Sequence, residues 1–475
     1  MNDILENFEE KIQKDTMYKS TLELISNELD ISFKSIHGYN YNTLKSNSKN
    51  RVYQKYLLSI ISVLLIPFLL IVMLLKRNKR NKKKSDITFD EWRNDSFNDY
   101  YKNIAKKLNN QYLINRFLSA KPAYDIKYVD KDLKSIKNME FINKKIVFKL
   151  LKFSIINYKI ILNFHKLNKK YNINFLFLYL KFLFAYVKFH CNAIHLNTKV
   201  FISALDFNSH LLKYEIFAKY NIQYICIQSS NRTNCLLLYK GADIIFSLGE
   251  HQSKLYKNIT NSFNEIIPIG SIKCSDYYGK NIEKKHDILF VEQYYNFDNL
   301  EYAKNKNYIK ILGNLIQFSK EYPQYKILYR TREEKRQKNN ILIGYENIHT
   351  ELENSSIIID SKENSYDKVL ESKIVIGYFS TLCFESIGLN IPALFCYYDN
   401  YEFELFDLEN SEEDIIIRDN EYNTFKTSIL QKLHESDNRK YFSKYKKIYM
   451  NQDENTINDI CKKIKDIVYN ESKKI

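Results

Sequence analysis

The sequence predicts an α/β fold: a pair of Rossmann-like domains around a central cleft, preceded by one transmembrane helix. Three observations lead there. Strand-like apolar runs alternate with helix-like runs between residues 198 and 396, in two series separated by the polar stretch GKNIEKKHD near 280. Such alternation builds parallel sheets with helices on both faces. At 475 residues the chain is too long for one ordinary core, because domains cluster at about 100–200 residues. Finally, residues 57–75, LLSIISVLLIPFLLIVMLL, carry no charge over 19 positions. Such a helix is about 28 Å long, close to the roughly 30 Å of a hydrocarbon core.

Composition narrows the function classes. Hydrophobic residues make up 45% of the chain, enough for a sizeable core, so wholesale disorder is excluded. The seven cysteines are dispersed, with no C-x-x-C and no Cys/His spacing suited to zinc. A reducing compartment fits, and a disulfide scaffold or structural zinc site does not. Of the net charge of +16, seven units come from Lys76, Arg77, Lys79, Arg80, Lys82, Lys83 and Lys84, leaving +9 for the rest. That mild excess suits anionic lipid or phosphorylated substrates. With no helix-turn-helix, zinc-finger or RNP pattern, nucleic acid is not an expected partner.

Taken in order, residues 1–55 read as an N-terminal helical segment and 56–84 as the transmembrane helix with its polybasic flank. Residues 36–55 hold four Lys/Arg and residues 76–95 hold eight, which turns the C-terminal side to the cytoplasm. The expectation is a single-pass protein of the inner (cytoplasmic) membrane with its catalytic part in the cytoplasm. Residues 1–50 would be exported or lie at the membrane. Pro67 kinks the span, and a re-entrant hairpin or a buried helix are the other readings.

Residues 85–282 form the expected first, acceptor-side Rossmann-like domain with a helical membrane-proximal part. Residues 86–190 read as mostly helical. Between 145 and 190, apolar blocks alternate with Lys, as buried core helices or as an aromatic-basic face on the membrane surface. Strands follow at 198–205, 223–228, 242–248 and 265–269, with a helix over 206–220. Residues 283–475 form the expected second, nucleotide-donor domain. Its strands are 288–291, 325–330, 356–359, 374–376 and 393–396, its helices 301–320, 366–372 and 381–389, with further helices over 421–470.

The most informative stretch is IVIGYFSTLCFESIGLNIPALFCY, residues 374–397. An apolar strand ends at Gly377, a short loop carries Ser380 and Thr381, and a helix begins. In an open α/β sheet, ligands bind beyond the carboxyl ends of the strands, and a helix N-terminus there offers N–H groups and a positive dipole end to a phosphate. Glu385 follows Thr381 by one turn on the same face and could accept two ribose hydroxyls. Simple capping by Ser380 or Thr381, with Glu385 on a solvated face, is the competing reading. Asp206 ends a strand facing the cleft, as a general base for an acceptor hydroxyl or as a helix cap. Arg330 and Arg332 read as bidentate phosphate clamps or as a solvated basic turn.

The pattern strand–G-x-x-S-T-x-x-x-E-x-x-x-x-x-x-P resembles the C-terminal domain of GT-B glycosyltransferases. More narrowly, it is similar to bacterial surface-polysaccharide enzymes of the polysialyltransferase and CDP-glycerol glycerophosphotransferase type, in capsule or O-antigen synthesis. The likeness covers about 198–400. It implies that Gly377, Ser380, Thr381 and Glu385 bind the nucleotide of an activated donor. GADIIFSLGEHQSKLY with IIPIGS at 266–271 looks like the family's link into the cleft, so Gly270 joins the nucleotide side. Relatives often end the second strand in Q-H-G, where this chain has Gln228-Ser229-Ser230, the expected acceptor side of the cleft. Many carry a His-Pro pair where this chain has Arg330-Thr331-Arg332. Neither family histidine is present.

The resemblance implies a membrane-anchored glycosyltransferase. It would move a sugar from a nucleotide-activated donor to a lipid-linked or growing surface polysaccharide, with no cofactor and no metal, the leaving phosphates being neutralised by the helix N-terminus and basic residues. A polyol-phosphate transferase of the CDP-glycerol type, or an inactive GT-B-like scaffold in a glycan assembly complex, are the alternatives.

Overall fold

The computed structural model describes residues 5, 7–47, 68, 70–75, 84–91, 97–119, 134–137, 142–204, 206, 209–232, 238–260, 262–292, 299–331, 346–360, 364–378, 380–398, 415–435 and 439–473. Two parallel sheets dominate it. The first contains β1 (Ser85–Glu91), β2 (Ile114–Leu118), β3 (Lys134–Lys137), β4 (Thr198–Ser203), β5 (Gln223–Ile227), β6 (Ala242–Ser247) and β7 (Phe263–Pro268). The second contains β8 (His286–Val291), β9 (Ile327–Arg330), β10 (Ile358–Asp360), β11 (Ser372–Gly377), β12 (Ala393–Cys396) and β13 (Ile416–Ile417).

Their orders are β3-β2-β1-β4-β5-β6-β7 and β10-β9-β8-β11-β12-β13. Each has the doubly wound 3-2-1-4-5-6 arrangement, with the chain reversing direction between its first and fourth strands. In the first sheet Phe89 pairs with Ile202 across that reversal, and in the second Phe290 pairs with Ile376. The strands are near-continuous runs such as HDILFV and SKIVIG because helices cover both faces and leave little room for polar alternation.

Three strands, β1 to β3, stand where residues 86–190 were expected to be mostly helical. β1 reads SDITFDE, too polar to announce a buried strand. Its polar members are buried but partnered: Ser85 meets Thr88, Asp90 meets Ser203 and Lys213, and Glu91 meets Arg116. Only tertiary neighbours make that composition tolerable inside a sheet.

The helices α1 (Thr16–Leu29) and α2 (Phe33–Asn47) do not stand apart as an N-terminal segment. With α4 (Lys144–Ile156), α5 (Tyr158–Tyr171) and α6 (Phe175–Leu196) they enclose one apolar core; a short helix α3 (Lys102–Leu108) belongs to the first sheet's core. Phe8, Tyr18, Leu22, Ile25 and Leu29 are all fully buried there. At about 2 kcal/mol per large side chain, their burial amounts to roughly 10 kcal/mol as an upper bound. The expected membrane span lies mostly outside the described residues. Among those described, no helix is long and apolar enough to cross a membrane. Residues 70–75 are helical and bury Leu70 and Met73 in the same core.

The C-terminus also departs from expectation. Helices α13 (Tyr422–His434) and α14 (Arg439–Tyr449) belong to the second domain, but α15 (Thr456–Lys473) crosses back. Its residues Ile457, Ile460, Ile464 and Val468 pack with Ile87, Phe89 and Ile202 of the first sheet. The crossing strap is pinned as it passes. Asn451 donates to the Leu248 carbonyl at 2.7 Å, and Gln452 Oε1 accepts from Ser271 N–H at 2.9 Å.

This strap explains Gly270, which the sequence placed on the nucleotide side. Gly270 has φ +90°, and a Cβ there would lie 2.9 Å from the Gln452 Cα. It is a crossing point for the chain rather than a nucleotide contact. Gly249 and Gly388 serve the same strap, since a Cβ at either would overlap Ile448 or Met450.

Candidate functional site

In the first domain the carboxyl edge of β5 runs into the loop 228–232, which the sequence assigned to the acceptor side. The loop is held from within. Gln228 is buried; its Nε2 donates to Gln252 Oε1 at 2.5 Å and to the Ser230 carbonyl at 2.9 Å, and its Oε1 accepts from Leu248 N–H at 3.0 Å. Arg232 then turns back into the domain, where Nε and Nη2 donate to the two carboxylate oxygens of Asp206, each at 2.6 Å.

Asp206 does not take the role of a general base. It is fully buried. Besides the bidentate arginine, it accepts from Tyr256 Oη at 2.9 Å and from Ser229 Oγ at 3.1 Å. A carboxylate with this many donors has no lone pair directed at a substrate hydroxyl and no route to one. Nor does it cap the next helix. α7 (Leu211–Ala218) starts later, and His210 occupies its cap position without a side-chain bond. Asp206 instead anchors Arg232, Ser229 and Tyr256. Burial and the neighbouring Asp206 push the Tyr256 phenol well above its usual range.

In the second domain, α12 (Thr381–Gly388) begins just past β11. Ser380 caps it, its hydroxyl accepting from Leu382 N–H at 3.4 Å, which is the capping reading of the motif. Thr381 Oγ1 accepts from Asn231 N–H at 3.4 Å. The loop after β5 therefore meets the N-terminus of α12 across the two domains. Residues assigned from sequence to opposite sides of a cleft are brought together there. Gly377 sits behind them, where a Cβ would crowd Cys383 Sγ at 2.5 Å; its smallness lets the strand pack on the helix.

Glu385 is neither solvated nor open to a ribose. It is buried at the domain junction, where Ser271 Oγ donates to its Oε1 at 2.7 Å. Burial raises its pKa, against the opposing pull of Lys273, Ser271 and Tyr366. The Lys273 ammonium lies over the Tyr100 ring at 4.8 Å. Burial together with Glu385 pushes the Tyr366 phenol far up.

Arg330 is committed elsewhere. Nε donates to Ser365 Oγ at 3.1 Å, and Nη1 donates to the Asp360 carbonyl at 3.2 Å and its carboxylate at 3.4 Å. It ties β9 to β10 and to α11 (Ser365–Leu370), being neither a phosphate clamp nor a solvated turn. Arg332 lies outside the described residues. Among the described residues, no group of three or more His, Cys, Asp or Glu is placed to hold a metal ion.

Sequence reasoning missed Asp90, Lys213 and Arg232. Asp90 is the penultimate residue of β1, at the point where the first sheet reverses; its Oδ2 accepts from Ser203 Oγ at 3.0 Å and from Lys213 Nζ at 3.5 Å. The Lys213 ammonium lies over Phe201, Tyr224 and Phe217, at 4.4, 4.8 and 5.4 Å from the ring centroids. For Arg232 one signal was present, a lone cation five residues past the end of an apolar strand; that it meets Asp206, 26 positions earlier, only the fold shows.

No family model and no curated protein matches the chain. Several solved structures resemble it distantly. The wall teichoic acid polymerase TagF aligns at 14% identity over 89% of this chain and 99% of its own, with a TM-score of 0.48. A UDP-N-acetylglucosamine 2-epimerase from Listeria monocytogenes, itself described as putative, aligns at 10% over 81% and 96%, also at 0.48. The UDP-GlcNAc 2-epimerase from Neisseria meningitidis, solved with UDP-GlcNAc bound, aligns at 9% over 80% and 100%, at 0.46.

Proposed function

We propose that the chain is a transferase of surface-glycan synthesis, moving a sugar or a polyol phosphate from a nucleotide-activated donor to a lipid-linked or polysaccharide acceptor. It would work at the cytoplasmic face of the inner membrane. One observation carries the reading. The N-terminus of α12 meets the loop after β5 through Asn231 and Thr381, so a helix N-terminus and a loop from the other domain share one spot. A helix start there suits a donor phosphate, and the opposing loop can confine what lies against it. The chemistry is positioning and charge stabilisation and needs no cofactor.

A second reading is favoured by a different observation. Asp206, Glu385 and Arg330 are each engaged by protein groups, and no histidine stands in Gln228-Ser229-Ser230 or in Arg330-Thr331-Arg332. An inactive GT-B-like scaffold would look like this.

Titrating the full chain by calorimetry with CMP-, CDP- and UDP-linked donors separates the two. The transferase reading expects saturable binding by one nucleotide class. It also expects at least about tenfold weakening, roughly 1.4 kcal/mol, in a Ser380→Ala/Thr381→Val variant. No binding by any donor sinks the transferase reading and leaves the scaffold.

A further inference from the structure

Packing on both sides of the apolar stretch bears on how the chain meets the membrane, independently of the transferase reading. Residues 8–47 are joined to the first Rossmann-like domain by direct contacts. Tyr239 Oη donates to Glu9 Oε2 at 2.7 Å, and Lys240 Nζ donates to Asn42 Oδ1 at 3.0 Å. Ser32 N–H donates to Glu215 Oε2 at 3.0 Å, and Lys219 Nζ pairs with Asp30 at 2.5 Å. His37 is fully buried, with its ring 4.9 Å from Phe8 and 5.3 Å from Tyr239. Gly38 abuts Tyr239 so closely that a Cβ would overlap that ring.

A helix crossing the bilayer once between residues 47 and 85 would place the two halves of this core on opposite sides of the membrane. We propose instead that residues 8–47 lie on the same face of the membrane as both sheets, and that the bundle rests on an anionic lipid surface through α4 and α5. The chain would then cross an even number of times, or not at all, between 47 and 85.

Charge agrees. Residues 36–55 hold four Lys/Arg and no acid, and residues 76–84 hold seven and no acid. Both flanks are thus retained by the same positive-inside preference.

The docking face follows from α4 and α5. Residues 144–171 contain no Asp or Glu. Phe148, Ile155, Ile156 and Leu162 are 62, 63, 59 and 51% exposed, with the lysines of these helices interleaved among them. Apolar side chains of this kind sink about 5–10 Å into the headgroup boundary while lysines meet anionic headgroups. Residues 70–75 dock on the same bundle, burying Leu70 and Met73 while Leu75 is 77% exposed.

The test uses the full chain in bacterial cells and then in vesicles. Compartment reporters fused at each end, a fluorescent protein active only inside and a phosphatase active only outside, should both report the cytoplasm. Ser32→Cys with Glu215→Cys, and separately Asp30→Cys with Lys219→Cys, should cross-link with a short bis-maleimide in native membranes of a Cys235→Ser chain. An N-terminal phosphatase active outside, or no cross-link at either pair, overturns the shared face. For the lipid contact, Phe148→Trp in a Trp92→Phe chain should lose fluorescence to brominated anionic vesicles and keep it with brominated neutral ones. Retained fluorescence in both, which would mean that a protein segment covers α4, overturns the docking surface. Neither measurement depends on nucleotide binding.

Discussion

Arg232 and Asp206 form an ion pair whose removal separates an anchoring role from a catalytic one. Arg232→Met deletes the guanidinium and leaves the Asp206 carboxylate fully buried, with only Tyr256, Ser229 and their neighbours to hold it. Breaking one partner of a buried pair costs about 3–5 kcal/mol, because the surviving charge cannot recover its lost hydration. For a unit of this size each kcal/mol moves the midpoint by about 2–4 °C, so a loss on the order of 10 °C is expected. The double variant Asp206→Asn/Arg232→Met removes both charges and keeps an acceptor for Tyr256. It should recover most of the loss, since replacing a buried pair as a whole is often nearly neutral. The assay is the melting midpoint of the detergent-solubilised full chain, followed by near-ultraviolet circular dichroism. A single variant that melts within about 1 kcal/mol of the wild type, or a double variant no better than the single, would refute the anchoring argument. A catalytic base would behave otherwise: Asp206→Asn would then abolish turnover and leave the midpoint unmoved.

Two further predictions concern pH. Glu385 has its pKa raised by burial, so the folded state holds its proton more tightly than the unfolded chain does. Stability then falls as pH rises from the ordinary carboxylate range through the raised value. Glu385→Gln should stabilise the domain junction at pH 8, with the advantage shrinking towards pH 5 in paired melts; a variant less stable at pH 8 would contradict this. Asp15 accepts from Tyr18 N–H, caps α1, and has its pKa lowered to about 2 by Lys170, Tyr18 and Tyr171, which outweigh a larger opposing effect of burial. Its contribution is therefore complete above the unfolded value near 3.8 and is lost as pH falls from there to about 2. Asp15→Ala should cost about 1 kcal/mol as a lost cap and speed proteolysis within residues 8–47, read by mass spectrometry of the fragments.

Legibility tracked how local each signal was. Most strands between 198 and 396 were readable because a strand buried on both faces is a run of apolar residues, and that is a local property; the two-residue β13 carried too short a run to be read. Likewise the start of α12 was readable because a Ser/Thr pair after an apolar strand carries its own capping chemistry. β1 was not readable. Its Asp90 and Glu91 are acceptable in a buried strand only because Lys213 and Arg116 arrive from other elements. The same distinction explains the site residues. Asp206 and Glu385 were identified as carboxylates at strand and helix ends, where carboxylates do chemistry. Whether they are open or engaged depends on Arg232 in one case and Ser271 in the other.

The amino-acid sequence by itself determined two parallel α/β halves, a break near 280, a helix start at Ser380-Thr381 and a basic-flanked apolar stretch. Each follows from neighbours within a turn or a strand. Tertiary structure alone decided that residues 8–47 share a core with residues 142–196, that α15 returns to the first domain, and that Gly249, Gly270 and Gly388 make room for the crossing strap rather than for a ligand. These are contacts between segments far apart in the chain, and no local pattern of hydrophobicity specifies which apolar face will cover which.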